Sequence, residues 1–206
     1  MKFLFLVVSL FFSASAFSVE IDNKDPFKLV QTVAKDLFER IAREQEIIKN
    51  DPEHLRVVVE EQLAPYINHV YAGSMVLGPY YRKVSEEERE LFFTAFRKYL
   101  IATYAGILTL YKDQKVVFEP SSEVEGKRVQ VKVRVLDDGR PDINIGFILR
   151  KNRSDEWSAY DMVAEGISVL TSKQKELQGQ IRQQGIASVT EILLEKAAKP
   201  IVEKEL

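Results

Sequence analysis

The stretch from Ser85 to Tyr111, SEEERELFFTAFRKYLIATYAGILTLY, constrains this chain most, because its pattern fits one long helix that the rest of the fold has to cover. Ser85 followed by Glu88 is a capping-box signature, and Glu86, Glu87 and Glu88 place negative charge at the positive end of the helix dipole. At about 100° per residue, Phe92, Phe93, Phe96, Tyr99, Leu100, Tyr104, Ile107, Leu110 and Tyr111 cover roughly half the circumference. Arg97 and Lys98 fall at or beyond the edge of that arc. No charge occurs from Tyr99 to Tyr111, so the second half of the helix has to be enclosed on nearly every side, by protein or by a ligand. The uncharged run is too short for a bilayer, which takes about 20 apolar residues.

Helical signals also fill the chain upstream. Asp25-Pro26 supplies an N-cap and a first-turn proline for a helix carrying Phe27, Val30, Val33, Ala34, Leu37 and Ile41, running to about Ile48. Asp51-Pro52 repeats the device for a second helix with Leu55, Val58, Val59 and Leu63, which Pro65 ends or kinks. Residues 67–80 predict a short helix of small and apolar residues, closed by Gly78-Pro79.

Downstream the period changes from helical to twofold. Lys115 to Glu119 is β-prone, and Arg128 to Leu136 sets Val129, Val131, Val133 and Val135 against Arg128, Gln130, Lys132 and Arg134. Asp137-Asp138-Gly139 predicts a hairpin turn into a strand with Ile143, Ile145, Phe147 and Leu149 on one face and Asn144, Gly146 and Arg150 on the other. A tight turn at Asn152 to Asp155 leads to a third strand, Trp157 to Val163, and Ile167 to Leu170 extends the meander. Helices return with caps expected at Thr171 (with Gln174) and Ser188 (with Glu191), ending before Pro200. Helices, then strands, then helices imply an α+β fold, with helices covering one face of a curved antiparallel sheet.

The first residues carry an address. After Lys2 no charge appears until Glu20, Phe3 to Phe12 are apolar, and Ala14-Ser15-Ala16 offers a small-residue cleavage site, so 1–18 read as a secretory signal peptide and 19–206 as a single domain. The formal charge is -2, too near balance to imply nucleic acid as a partner. With no cysteine and only two histidines, His54 and His69, disulfides, thiolate chemistry and a histidine-rich metal cluster are excluded, and neither metal nor cofactor is expected. His54 reads as an ordinary exposed polar residue in a first helical turn. No nucleophile elbow, phosphate loop, dinucleotide fingerprint or zinc-protease motif occurs. Asp161 and Glu165 are the carboxylates nearest to an acid/base pair, but at a strand end capping or salt bridging is the commoner role. No catalytic residue is expected. The aromatic arc of the long helix and the Val/Ile strand faces fit a large solid core, the more ordinary reading, with a ligand cavity as the other.

Residues 63–108 and 157–189 resemble the MlaC family of periplasmic phospholipid-binding proteins, also known as the toluene-tolerance Ttg2D-type family. The resemblance rests on Leu77-Gly78, on Phe96-Arg97-x-Tyr99-Leu100, on Tyr104, and on Trp157-x-x-Tyr160-Asp161-Met162-x-x-Glu165-Gly166-x-Ser168. It implies a nuclear-transport-factor-like α+β fold with an apolar cavity between sheet and helices that holds acyl chains. It also implies a monomeric carrier that takes phospholipid across the periplasm between an outer-membrane MlaA–porin complex and an inner-membrane ABC transporter presenting MlaD, and so maintains outer-membrane lipid asymmetry. The positions expected to line such a cavity are Leu77, Phe96, Leu100, Tyr104 and Leu108 from helices and Val131, Val133, Ile145 and Phe147 from strands. Arg82, Lys83, Arg97, Arg150 and Lys151 are the basic residues expected to orient protein docking. A protein-binding adaptor with a solid core and no lipid is the alternative.

Overall fold

The computed structural model describes residues 21–120, 124–136, 139 and 141–203. The signal peptide therefore lies outside the described residues, as do Asp137 and Asp138 of the expected hairpin turn. Helices α1 (Pro26–Arg43), α2 (Gln45–Asn50), α3 (His54–Gln62), α4 (His69–Leu77) and α5 (Glu86–Leu108) precede strands β1 (Lys115–Phe118), β2 (Arg128–Leu136), β3 (Ile143–Lys151), β4 (Trp157–Ala164) and β5 (Ile167–Ser168), and α6 (Val169–Ala198) follows. The strands form one antiparallel sheet in the order β1-β2-β3-β4-β5. This is the α+β meander with helices that the periodicities imply.

Several boundaries are set by side chains. Asp25 accepts hydrogen bonds from the Phe27 and Lys28 amides and starts α1 as expected. The helix expected to reach Ile48 breaks instead at Glu44, whose carboxylate is held by Arg40 Nε at 3.0 Å and His54 Nε2 at 2.7 Å. His54 is thus half-buried and bonded, contrary to the exposed role read from sequence. Asp51 caps a turn through the Glu53 amide, so α3 becomes regular only at His54. The Ser85–Glu88 capping box is complete, with both reciprocal bonds formed.

The C-terminal helices also differ from expectation. Ser168, not Thr171, caps α6, accepting from the Thr171 amide at 2.9 Å. Ser188 opens no helix, because the break falls at Gly185 (φ 83°, ψ 165°), a conformation side-chain-bearing residues avoid. Around that residue α6 folds back on itself.

Three packed clusters make up the interior. Gly73 lets α4 lie against Phe93 of α5, and Val76, Leu77, Phe92, Phe96, Leu177 and Leu193 fill an all-helical cluster of α4, α5 and α6. A second joins Leu37, Ile41, Leu55 and Val59 to Ile101 and Ala105 of α5. The third sets Phe27, Leu29 and Val33 of α1 on Val131, Leu149 and Trp157 of the sheet.

Candidate ligand-binding seam between the long helix and the sheet

The twofold pattern of β2 and β3 places the expected residues in register. Val131 opposes Phe147 and Val133 opposes Ile145, so all four share one face. Val131 and Val133 are buried, whereas Ile145 and Phe147 remain half-buried. Ile143, expected on the same covered face, is 43% exposed at the strand end. Ile148 departs from the alternation in the other direction: it is buried although its register places it with Gln130 and Arg150. The β3–β4 register shifts between Ile148 and Leu149, which pair with Asp161 and Ala159 and leave Tyr160 as a bulge.

On α5, Leu100, Tyr104 and Leu108 recur at four-residue spacing and are all half-buried. Leu100 packs against the all-helical cluster, and Tyr104, Leu108 and Tyr111 pack against the second. Phe147 and Val129 lie against the third. These incompletely covered apolar side chains thus come from the inner arc of α5 and from the strand face. Leu77 and Phe96 do not join them. Both are essentially fully buried within the all-helical cluster, because Leu77 ends α4 where Gln174 and Gln178 of α6 donate to the Met75 and Val76 carbonyls. Tyr111, stacked on Phe38 at 4.4 Å, extends the α5 row and was legible from the same helical spacing, as was Val129 from the strand alternation.

Burial, followed by the fields of Asp161 and Tyr99, pushes the Tyr104 phenol up to about 12. Asp161 itself accepts from the Met162 amide, the Leu170 amide and the Ser168 hydroxyl at 2.7, 2.9 and 2.7 Å. Its role is to hold the start of α6. Glu165 likewise accepts from the Asn144 amide in the turn between β4 and β5, so the two carboxylates are committed to backbone structure.

The basic residues divide. Arg82 and Lys83 are exposed in the turn before α5. Arg97 is paired bidentately with Glu60 at 3.0 and 2.6 Å, Arg150 stacks on Tyr71 with 3.8 Å to the ring centre, and Lys151 lies over Trp157 and 3.6 Å from Asp155. Among the described residues no group of three or more metal-ligating side chains occurs, and no helix is long and apolar enough to cross a membrane. An open groove of about 760 Å³ between α3, α5 and the end of α6 is lined by Val57, Ile101, Leu194, Ala197, Ala198 and Pro200 together with Glu53, Arg56, Glu60 and Lys98.

Helices packed with a five-stranded antiparallel meander define an α+β protein. The model of the MlaC protein family matches residues 31–195, and this chain belongs to that family. It is 38% identical over 185 residues to the intermembrane phospholipid transport system binding protein MlaC of Haemophilus influenzae, covering 88% of this chain and 86% of that protein. It is 23% identical over 145 residues to the toluene tolerance protein ttg2D of Pseudomonas putida, covering 70% and 67%. The fold matches a phospholipid-binding protein from Ralstonia solanacearum, solved in complex with a phospholipid, with a TM-score of 0.75 at 19% identity over 84% of this chain and 97% of that one.

Proposed function

We propose that this protein is a periplasmic phospholipid carrier that holds acyl chains between α5 and the sheet. The observation that carries the reading is the state of Tyr104. Burial pushes its phenol up to about 12, and part of its surface is left uncovered by neighbouring atoms. Leu100, Leu108, Ile145 and Phe147 are partly uncovered in the same way, while Val131 and Val133 form the wall beneath. Membership of the MlaC family, and a relative named for intermembrane phospholipid transport, support lipid as the occupant. The physical need is large: at about 0.8 kcal/mol per CH₂, two chains of roughly fifteen methylenes leave a bilayer at a cost of about 24 kcal/mol, which the carrier has to offset with its own apolar wall.

In this reading residues 1–18 direct export, residues 19–206 form one lipid-binding domain that works as a monomer, and the activity is binding and transfer without catalysis. Its partners are the MlaA–porin complex of the outer membrane and the MlaD-type component of the inner-membrane ABC transporter. Arg82 and Lys83 are the docking cations that remain exposed, Lys83 lying over the Tyr80 ring at 5.7 Å; Arg97, Arg150 and Lys151 are paired or stacked within the chain. Solvent extraction of the purified protein followed by lipid mass spectrometry tests the proposal. Stoichiometric phospholipid is expected, and its absence after detergent-free purification favours a protein-binding adaptor with a solid core.

A further inference from the structure

Strand alternation turns Arg128, Gln130, Lys132 and Arg134 of β2 onto the side of the sheet opposite Val131 and Phe147. Lys132 and Arg134 each have a carboxylate at 3.7 Å, Glu119 and Asp142 respectively. Arg128 has none among the described residues, and the residue directly across from it on β3 is a second arginine, Arg150, equally without one. One step along the ladder the Lys151 amide donates to the Lys127 carbonyl at 3.0 Å, so Arg128 and Arg150 form a non-hydrogen-bonded pair, the kind whose side chains lie closer. Like charges directly opposite each other destabilise a sheet.

The surroundings position this pair rather than neutralise it. Arg150 lies over the Tyr71 ring, 3.8 Å from its centre, and Tyr160 meets Tyr71 edge-on at 5.0 Å. Stacking fixes the plane of a guanidinium and leaves its edge donors and its charge available. Burial pushes the Tyr160 phenol up, with Tyr71 and Asp161 adding to it, whereas Arg128 and Arg150 both pull it down, so the two cations converge beside that ring. On β4, Ser158 pairs with Arg150, and its hydroxyl oxygen accepts from Asn68 Nδ2 at 3.5 Å, which leaves its proton to donate. Arg128, Arg150 and Ser158 thus stand in one row across three strands. The nearby carboxylates are engaged elsewhere: Asp161 with two amides and Ser168, Asp155 with Lys151, and Glu156 with Asn152 and Lys24. Two fixed guanidinium charges match a dianion with several oxygens better than they match the single charge of a carboxylate, and a phosphate monoester is close to dianionic at neutral pH.

We propose that Arg128 and Arg150 form an anion site for a phosphate monoester, free or as a lipid head group, on the sheet face opposite Val131 and Phe147. The test titrates isotope-labelled whole protein with inorganic phosphate at constant ionic strength, followed by NMR. Wild type is expected to show saturable shifts centred on the β2–β3 pair. Arg128→Gln, which removes no ion pair, is expected to bind about tenfold more weakly, the loss of one charge-assisted contact. Lys132→Gln makes the same charge change on the same face and should bind as wild type does. Sedimentation with phosphatidylcholine vesicles containing phosphatidic acid separates the two sources: binding that depends on Arg128 assigns the head group, and phosphate binding without vesicle binding assigns the free anion. Wild type that binds no phosphate overturns the proposal, as does an equal loss in Lys132→Gln and Arg128→Gln, or Arg128→Gln that binds unchanged. Acetate binding as tightly as phosphate also overturns it, in favour of a carboxylate-bearing partner.

Discussion

Glu176 and Lys196 meet at 3.3 Å although twenty residues separate them along α6. A straight helix would hold them about 30 Å apart at 1.5 Å per residue, so the contact requires α6 to be a hairpin turning at Gly185. The turn brings Leu177 and Ile181 from one arm beside Ile186, Val189 and Leu193 from the other in the all-helical cluster. A Cβ at Gly185 meets nothing within 4 Å, so the cost of Gly185→Ala is that of the backbone angles alone. We expect a loss of about 1–3 kcal/mol in chemical unfolding. Lys196→Ala, which removes only a partly exposed ion pair, is expected to cost less than about 1 kcal/mol.

Where a residue's own neighbours in sequence decide its structure, the sequence was readable. The Ser85 capping box, the Asp25-Pro26 start, the valine alternation of β2 and the stop at Gly78 are all local chemistry, and all stand in the structure. The break at Glu44 was hidden because it depends on His54, ten residues away. The break between two C-terminal helices was readable, but it was placed at Ser188 rather than Gly185, because one glycine in a helical pattern signals a turn only when the arms have something to pack on. For the seam, periodicity gave the faces of α5, β2 and β3 but not which helical neighbours close over them. Leu77 and Phe96 share their helices' apolar stripes, and only the arrival of α6 assigns them to packed core.

Asp161 is expected to matter for stability rather than chemistry. Asp161→Ala leaves the Met162 and Leu170 amides and the Ser168 hydroxyl without their acceptor, which should cost about 3 kcal/mol. Asp161→Asn keeps one acceptor oxygen and should cost about half as much. Urea unfolding with an unchanged m-value checks both.

Alkaline stability should report on Tyr104. Its folded-state pKa, about 12, lies above the reference value of 10.0, so its contribution is complete below pH 10 and is lost as the pH rises through 12. The two-unit rise corresponds to about 3 kcal/mol over that window. Tyr104→Phe should therefore flatten the fall in stability between pH 10 and 12, measured by denaturant unfolding at stepped pH. A residual slope is expected, because burial also raises the phenols of Tyr66, Tyr111 and Tyr160.

For docking, the exposed Arg82 and Lys83 should behave differently from Arg97. If the proposed MlaD-type component is the partner, reversal of both to glutamate should slow association with it at low ionic strength, with the effect fading by 1 M salt as the Debye length shrinks to about 3 Å. Arg97→Glu instead confronts Glu60 with a like charge where a bidentate pair stood, and should lower the melting temperature. Surface plasmon resonance across a salt series, run beside thermal melts, separates the two.

The sharpest contrast is between Phe147 and Leu77, two apolar residues that the sequence assigns alike. Phe147 is half-buried on the sheet face, whereas Leu77 is fully enclosed among Val76, Phe92 and Leu177. A carboxylate is far more costly to bury unpaired than the lost contact is to forgo. At position 77 no solvent can reach it without opening close-packed helices, so Leu77→Glu should abolish cooperative unfolding, lost in circular dichroism. In the carrier reading, water can enter at position 147 once lipid is gone, so Phe147→Glu should remain folded, with a lower melting temperature and no bound phosphate. Val133→Glu, buried deeper on the same face, should fall between the two in stability. A Phe147→Glu protein that unfolds like Leu77→Glu would place position 147 in solid core, and one that folds and keeps its lipid would move the acyl chains away from this strand.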